Sequence, residues 1–357
     1  MDDWTVARPF VQSAQADQAD NDVGEAASAT MSEAMSEASL IPVPASRLGA
    51  WVRLIRPSAL LLVLVPALTA LALLWLRGVR VLALPALAGI ASLALVQAGA
   101  SLLDVYLEYA RRAHLPETER RDHLTARALL ARSAINPLNV LRLSILLIVF
   151  GGLAGIPLVI SGGWPVALLG LAGVAIAFLF SATSFALKRF PLADFVIGLA
   201  LGPGIVAGMM LAQRHAPTGR DLLFAGALGF LAMLPAAGAH LRDAQQDALL
   251  GRKTLVTVLG DGLGRTIYLV WLLAAMALLA LAALPHGAPH GALLGLLALP
   301  SFSIPVSGAL VAKPGYARAQ VVLQERRAYA LFAFWFLFGL AINAILISGL
   351  GPIPATV

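Results

Sequence analysis

Cysteine is absent from this chain of 357 residues, which excludes disulfides, thiolate metal sites and cysteine nucleophiles. Charge is scarce too. Asp, Glu, Lys and Arg together make up 12% of the residues against 59% hydrophobic ones, which excludes an ordinary soluble globular protein. The first 48 residues lack an apolar run of signal-peptide length and are rich in Ala, Ser, Asp, Glu and Gln, a composition that predicts a disordered acidic tail. That tail holds eight of the 19 acidic residues and two of the 25 basic ones, so residues 49–357 carry 23 basic side chains and only 11 acidic ones. No Ser-His-Asp arrangement stands out, and no internal repeat is apparent.

What the chain has in abundance is long apolar runs. A helix of about 20 apolar residues crosses the hydrocarbon core of a bilayer. Nine such stretches occur, at 58–76, 81–103, 137–160, 164–186, 192–212, 221–239, 265–284, 290–311 and 329–350. The fold expected is an all-α, polytopic membrane bundle of nine transmembrane helices. With the amino terminus placed in the cytoplasm, sixteen Lys and Arg residues fall in loops on that side and four (Arg77, Arg80, Arg214 and Arg220) on the other. This is a strong positive-inside bias and predicts a multi-pass protein of the inner (cytoplasmic) membrane. Topology alone accounts for most of these cations, and no nucleic-acid partner is expected. Trp51, Trp75, Trp164 and Tyr268, near helix ends, are expected to anchor at the membrane interface.

The acids that remain cluster where helices leave the bilayer. Helix 6 ends in His240-Leu-Arg242-Asp243-Ala-Gln-Gln-Asp247, followed by Gly251-Arg-Lys-Thr254. Asp243 and Asp247 stand at i and i+4, with His240 one turn earlier, so all three share one helical stripe. Helix 2 ends in Asp104-Val-Tyr-Leu-Glu108-Tyr-Ala-Arg111, again with two acids at i and i+4. Lys188-Arg189-Phe-Pro191 forms a basic turn between helices 4 and 5. Carboxylates can hold Mg²⁺, Mg²⁺ bridges diphosphate oxygens, and Lys or Arg neutralises the remaining charge. Two plainer readings stay open: solvated helix termini for the acids, and a transporter. Against a transporter, the acids gather at one face and not at the bilayer midplane. The run Gly198-Leu-Ala-Leu-Gly202-Pro203-Gly204 through Gly208 predicts close helix packing with a kink.

The run from His240 to Gly260 resembles the second aspartate motif of the UbiA-type intramembrane prenyltransferases. It is closest to the 1,4-dihydroxy-2-naphthoate branch of menaquinone biosynthesis, where Asn usually stands in place of His240. Lys188-Arg189-Phe190-Pro191 with the Gly-rich helix after it, and Arg53-Leu-Ile-Arg56-Pro57 before helix 1, are similar to other segments of that family. The resemblance runs from about 50 to 350. It implies Mg²⁺-dependent transfer of an isoprenyl group from an allylic diphosphate to an aromatic or other electron-rich acceptor. Asp104, Glu108, Asp243 and Asp247 would hold the metal, and Lys188 would stabilise the leaving diphosphate. Arg56, Arg111, Arg189, His240 and Arg242 would contact substrate, and membrane lipids would surround the bundle.

Helix 2 departs from the family pattern. Where that pattern reads Asn-Asp-x-x-Asp-x-x-x-Asp, this chain has Leu103, Asp104, Leu107 and Arg111. Two outcomes stay open: Glu108 and Arg111 compensate, or the protein has become a non-catalytic member that binds, traffics or scaffolds an isoprenoid lipid. Compensation predicts that Asp104, Glu108, Asp243 and Asp247 line one cavity near Lys188.

Overall fold

The computed structural model describes residues 47–112, 135–181, 190–249, 253–311 and 316–349. The expected tail lies outside these residues apart from positions 47 and 48, and so do the Lys188-Arg189 turn and residues 113–134. Every element among the described residues is helical.

A short helix, α1 (Arg47–Ile55), precedes the first span, α2 (Pro57–Leu76). Pro57 occupies the first turn of α2, where its missing N–H costs nothing and its fixed φ suits a helix. There follow α3 (Ala83–Arg112), α4 (Pro137–Gly162), α5 (Trp164–Ser181), α6 (Ala193–Ala212) and α7 (Gly219–Leu249). The short α8 (Leu255–Leu259) leads into α9 (Asp261–Ala283), α10 (His290–Leu310) and α11 (Tyr316–Gly349). Eight of these are long and apolar enough to cross a membrane, and α5 carries a shorter apolar segment, Trp164–Leu179. Among the described residues, eight of the nine expected stretches reappear as these spans and the stretch 164–186 is met by the shorter apolar helix α5.

Burial separates centre from rim. In α7 the apolar window is 61% buried, whereas in α4 it is 11% buried and its Ile145, Leu146, Val149, Phe150 and Leu153 face outward. Such an outer surface would be an aggregation patch in water, but lipid solvates it. Phe224 of α7 meets Phe336 of α11, which stacks on Phe332 with ring centroids 5.4 Å apart. The helices α6 and α7 touch backbone to backbone. A Cβ at Gly202 would lie 2.6 Å from the Gly229 nitrogen, and one at Gly229 would lie 2.6 Å from the Gly198 carbonyl oxygen. The α6 backbone loosens to a wider turn over Ala200–Gly204, at Pro203. The glycine run is therefore a packing device, as its spacing predicts.

Three helices exceed a single span. At 1.5 Å per residue, α3, α7 and α11 measure roughly 45–50 Å, against ~30 Å of hydrocarbon. Their polar overhangs are the carboxyl-terminal ends of α3 and α7 and the amino-terminal end of α11. In a chain that alternates direction, these three ends share one face. The opposite face has its own polar layer. The Arg77 guanidinium and the backbone N–H and hydroxyl of Thr218 all converge on the fully buried Asp221 carboxylate. The Gln213 side chain accepts from the Leu82 N–H at 2.6 Å and donates to the Leu82 carbonyl at 3.2 Å.

One expected anchor is corrected. Trp75 and Trp164 are exposed at helix ends as an interface anchor requires, but Tyr268 has no exposure. It faces inward on α9 beside Glu325 of α11, because its stripe on α9 also carries Trp271, Leu272 and Ala275 into the core.

Candidate active site

The overhanging ends bring acids and arginines together. Ala50 and Leu54 of α1 bury against Leu102, Val105, Ile135 and Val140, which seats the α1–α2 junction on the end of α3. At that junction Arg56 adopts a left-handed backbone conformation (φ 57°) immediately before a proline. Both the β-carbon and the following proline disfavour it there, at a cost of order 1–3 kcal/mol. From this position Arg56 Nη1 donates to Asp104 Oδ2 at 3.1 Å. Leu103, which stands where the family pattern has Asn, is packed inside at 8% exposure.

On α7, Arg242 grips its neighbour Asp243 in a two-pronged contact, Nε to Oδ1 at 2.6 Å and Nη2 to Oδ2 at 2.7 Å. Asp247, one turn on, is buried at 3% exposure. Arg326, at the start of the α11 span, stands within electrostatic reach of both Arg56 and Arg242. Its positive charge is therefore felt by both arginines that pair with these acids. In the sequence Arg326 is one of the sixteen loop cations on the expected cytoplasmic side, which topology alone accounts for.

Two buried carboxylates were missed altogether. Asp194, in the first turn of α6, has no exposure, and its Oδ2 lies 3.3 Å from His240 Nδ1. Glu325 is 1% exposed and presses on the α7 backbone, where a Cβ at Gly238 would lie 2.5 Å from Oε1. Both were detectable in principle, since an acid inside or just before an apolar run is costly to insert. Glu325 lies just before the apolar stretch 329–350, whereas α11 is already helical from Tyr316. The side chains of Glu108 and Arg111 are not among those described, and Lys188 and Arg189 lie outside the described residues.

Among the described residues no group of three or more His, Asp or Glu side chains could hold a metal ion. Mg²⁺ does not require such a cage. It keeps several waters and binds through one or two carboxylates plus substrate phosphates. Asp104 and Asp243 supply hard anionic oxygens at one end of the bundle, so the donor chemistry fits Mg²⁺ completed by a diphosphate.

The model of the UbiA prenyltransferase family matches residues 63–337. The chain belongs to the UbiA prenyltransferase family. The match runs from within α2 to within α11. Over 210 residues the chain is 25% identical to the 1,4-dihydroxy-2-naphthoate octaprenyltransferase of Bacillus subtilis (strain 168), covering 58% of this chain and 65% of that protein. The aligned stretch is thus just under two thirds of the curated relative's length. A UbiA homolog from Archaeoglobus fulgidus, in a structure bound to GPP and Mg²⁺, superposes with a TM-score of 0.54 at 17% identity. That superposition covers 82% of this chain and 99% of the other. The same homolog bound to DMAPP and Mg²⁺ also gives a TM-score of 0.54, at 16% identity. At these identities the likeness establishes the UbiA fold.

Proposed function

We propose that this UbiA protein transfers an isoprenyl group from an allylic diphosphate to an aromatic or other electron-rich acceptor, in a Mg²⁺-dependent reaction at the overhanging ends of α3, α7 and α11. The observation that carries this reading is the pairing of one acid from each half of the bundle with an arginine, Arg56 with Asp104 and Arg242 with Asp243, at the same end of the molecule. The naphthoate octaprenyltransferase relative supports an aromatic acceptor and a place in menaquinone biosynthesis. The prenyl diphosphates and Mg²⁺ in the Archaeoglobus homolog support the donor and the metal. The charge asymmetry of the loops supports an inner-membrane protein with its amino terminus and this site on the cytoplasmic side.

In this mechanism Asp104 and Asp243, with Asp247 and Glu108, are the residues that would hold Mg²⁺. The metal, when bound, supplies charge stabilisation to the departing diphosphate. Arg56 and Arg242 are each already committed to a carboxylate, so the diphosphate competes with those acids for guanidinium donors, with Arg326, Arg111, Lys188 and Arg189 adding positive charge. As the allylic carbon–oxygen bond breaks, electrons pass to the diphosphate, and the positive charge of these side chains lowers the energy of that separation. The apolar walls of the bundle keep water from the allylic cation. The acceptor carbon then forms the new bond and the group it displaces leaves. No enzyme nucleophile is needed.

The test is purified protein in nanodiscs with an allylic diphosphate, Mg²⁺ and 1,4-dihydroxy-2-naphthoate. A prenylated naphthoquinol precursor is expected. Tight binding of the diphosphate with no transfer to any acceptor would instead identify an isoprenoid-binding member of the family.

A further inference from the structure

Asp194 has 0% exposure, and neither carboxylate oxygen completes a conventional hydrogen bond among the described residues. A carboxylate in that position requires compensation. Within ion-pair distance it has Nδ1 of His240, across the α6–α7 contact, at 3.3 Å. Nδ1 is itself sealed from solvent, while the His240 side chain as a whole keeps 12% exposure. An imidazole whose one nitrogen is committed to a buried carboxylate has a fixed ring plane and presents its other nitrogen in a fixed direction. His240 lies on the stripe of Asp243 and Asp247, and both acids act on it electrostatically.

A pair serving only to pack α6 on α7 would close off both ring nitrogens, and apolar side chains of the same volume would pack at least as well. The resembled family usually has Asn at position 240. A histidine there needs an acceptor for its inner nitrogen, and Asp194 is placed to be that acceptor.

We propose that Asp194 is a positioning residue: through Nδ1 of His240 it holds the imidazole so that Nε2 addresses the diphosphate of an isoprenyl diphosphate bound along the Asp243–Asp247 stripe. This inference rests on the donor assigned under the proposed function. To the His240 contact that the family resemblance implies, it adds a residue, Asp194, that acts only through His240 and fixes which ring nitrogen makes that contact.

The experiment measures equilibrium binding of a non-hydrolysable thiolo analogue of geranyl diphosphate to full-length protein in nanodiscs with Mg²⁺, alongside thermal unfolding. The variants are Asp194→Asn, His240→Ala and the double substitution. Each single variant is expected to bind about tenfold more weakly, the scale of one hydrogen bond to a charged group. The double variant is expected to match His240→Ala, because removing the ring leaves Asp194 nothing to position. Unchanged binding by Asp194→Asn, or losses that multiply to about a hundredfold in the double variant, overturns the proposal. If Asp194→Asn alone does not fold, Asp194→Asn is compared in a His240→Asn background, where no additional loss is expected and any additional loss contradicts the idea. A wild type that binds the analogue but transfers no prenyl group ends the enzymatic reading and leaves this comparison intact. A wild type that does not bind overturns both.

Discussion

Arg56 reaches Asp104 across 48 positions of sequence, from the strained residue before α2 to the overhang of α3, with Nη1 3.1 Å from Oδ2. A non-glycine residue held left-handed before a proline persists only where surrounding structure over-determines it. Here the over-determination comes from the α1 seat on α3 and from the ion pair. Strain and charge meet at one residue of the candidate site.

Arg56→Gly therefore separates the two effects. Glycine accepts the left-handed backbone without penalty but removes the guanidinium. We expect stability unchanged within about 1 kcal/mol by thermal unfolding, since relieved strain offsets the loss of a partly buried ion pair. Over the same substitution kcat/KM for the allylic diphosphate falls at least tenfold, which corresponds to about 1.4 kcal/mol of transition-state stabilisation. Equal kcat/KM would remove Arg56 from the site.

The opposite face predicts the reverse pattern. Asp221 is buried and holds Arg77 and Thr218 far from the acids of α3 and α7. Asp221→Ala leaves the Arg77 cation without its partner and should lower stability by roughly 3 kcal/mol. Activity per folded molecule stays at the wild-type value. The check is unfolding followed by tryptophan fluorescence, with turnover normalised to folded protein.

Gly202→Ala tests the α6–α7 contact. The added Cβ meets backbone of α7, at the Gly229 nitrogen and the Ala225 carbonyl, and backbone cannot rotate away. We expect loss of the folded bundle or destabilisation by about 2–4 kcal/mol, seen as a lowered unfolding temperature in detergent. Gly170→Ala, at a glycine with open space around it, serves as the neutral control.

Much of this was legible in the sequence. Nine apolar runs read as spans because lipid forces each spanning segment to satisfy its backbone internally, and length alone then identifies it. The acids of α3 and α7 stood out because charge is scarce around them. Asp194 and Glu325 did not, because each lies near the edge of an apolar run, where a solvated helix end is the simpler explanation. Their burial comes from neighbouring helices far away in sequence: His240 lies 46 positions from Asp194, and Gly238 lies 87 positions from Glu325. Tyr268 was misplaced for a related reason, since its position near a helix end says nothing of which neighbour covers it.

Glu325 adds a prediction of its own. Its carboxylate is packed against Gly238, beside Tyr268, with Arg242 and Arg326 in electrostatic reach. Gly238→Ala forces a Cβ into that carboxylate and displaces α11 from α7 one turn before Arg242. We expect both a lowered unfolding temperature and a raised KM for the diphosphate. Glu325→Ala in the Gly238→Ala background relieves the clash and restores much of the stability, as measured by the same unfolding assay.

The central claim is that Asp104 and Asp243 serve one diphosphate site. Its most direct test is Mg²⁺-dependent release of diphosphate from an allylic substrate by wild type, Asp104→Ala and Asp243→Ala in nanodiscs, each shown to be folded. Release by the wild type is expected, with its loss on chelation of Mg²⁺ and a fall of at least a hundredfold in each variant. Retained release in either variant, or none from the wild type with any allylic diphosphate and acceptor, would contradict it.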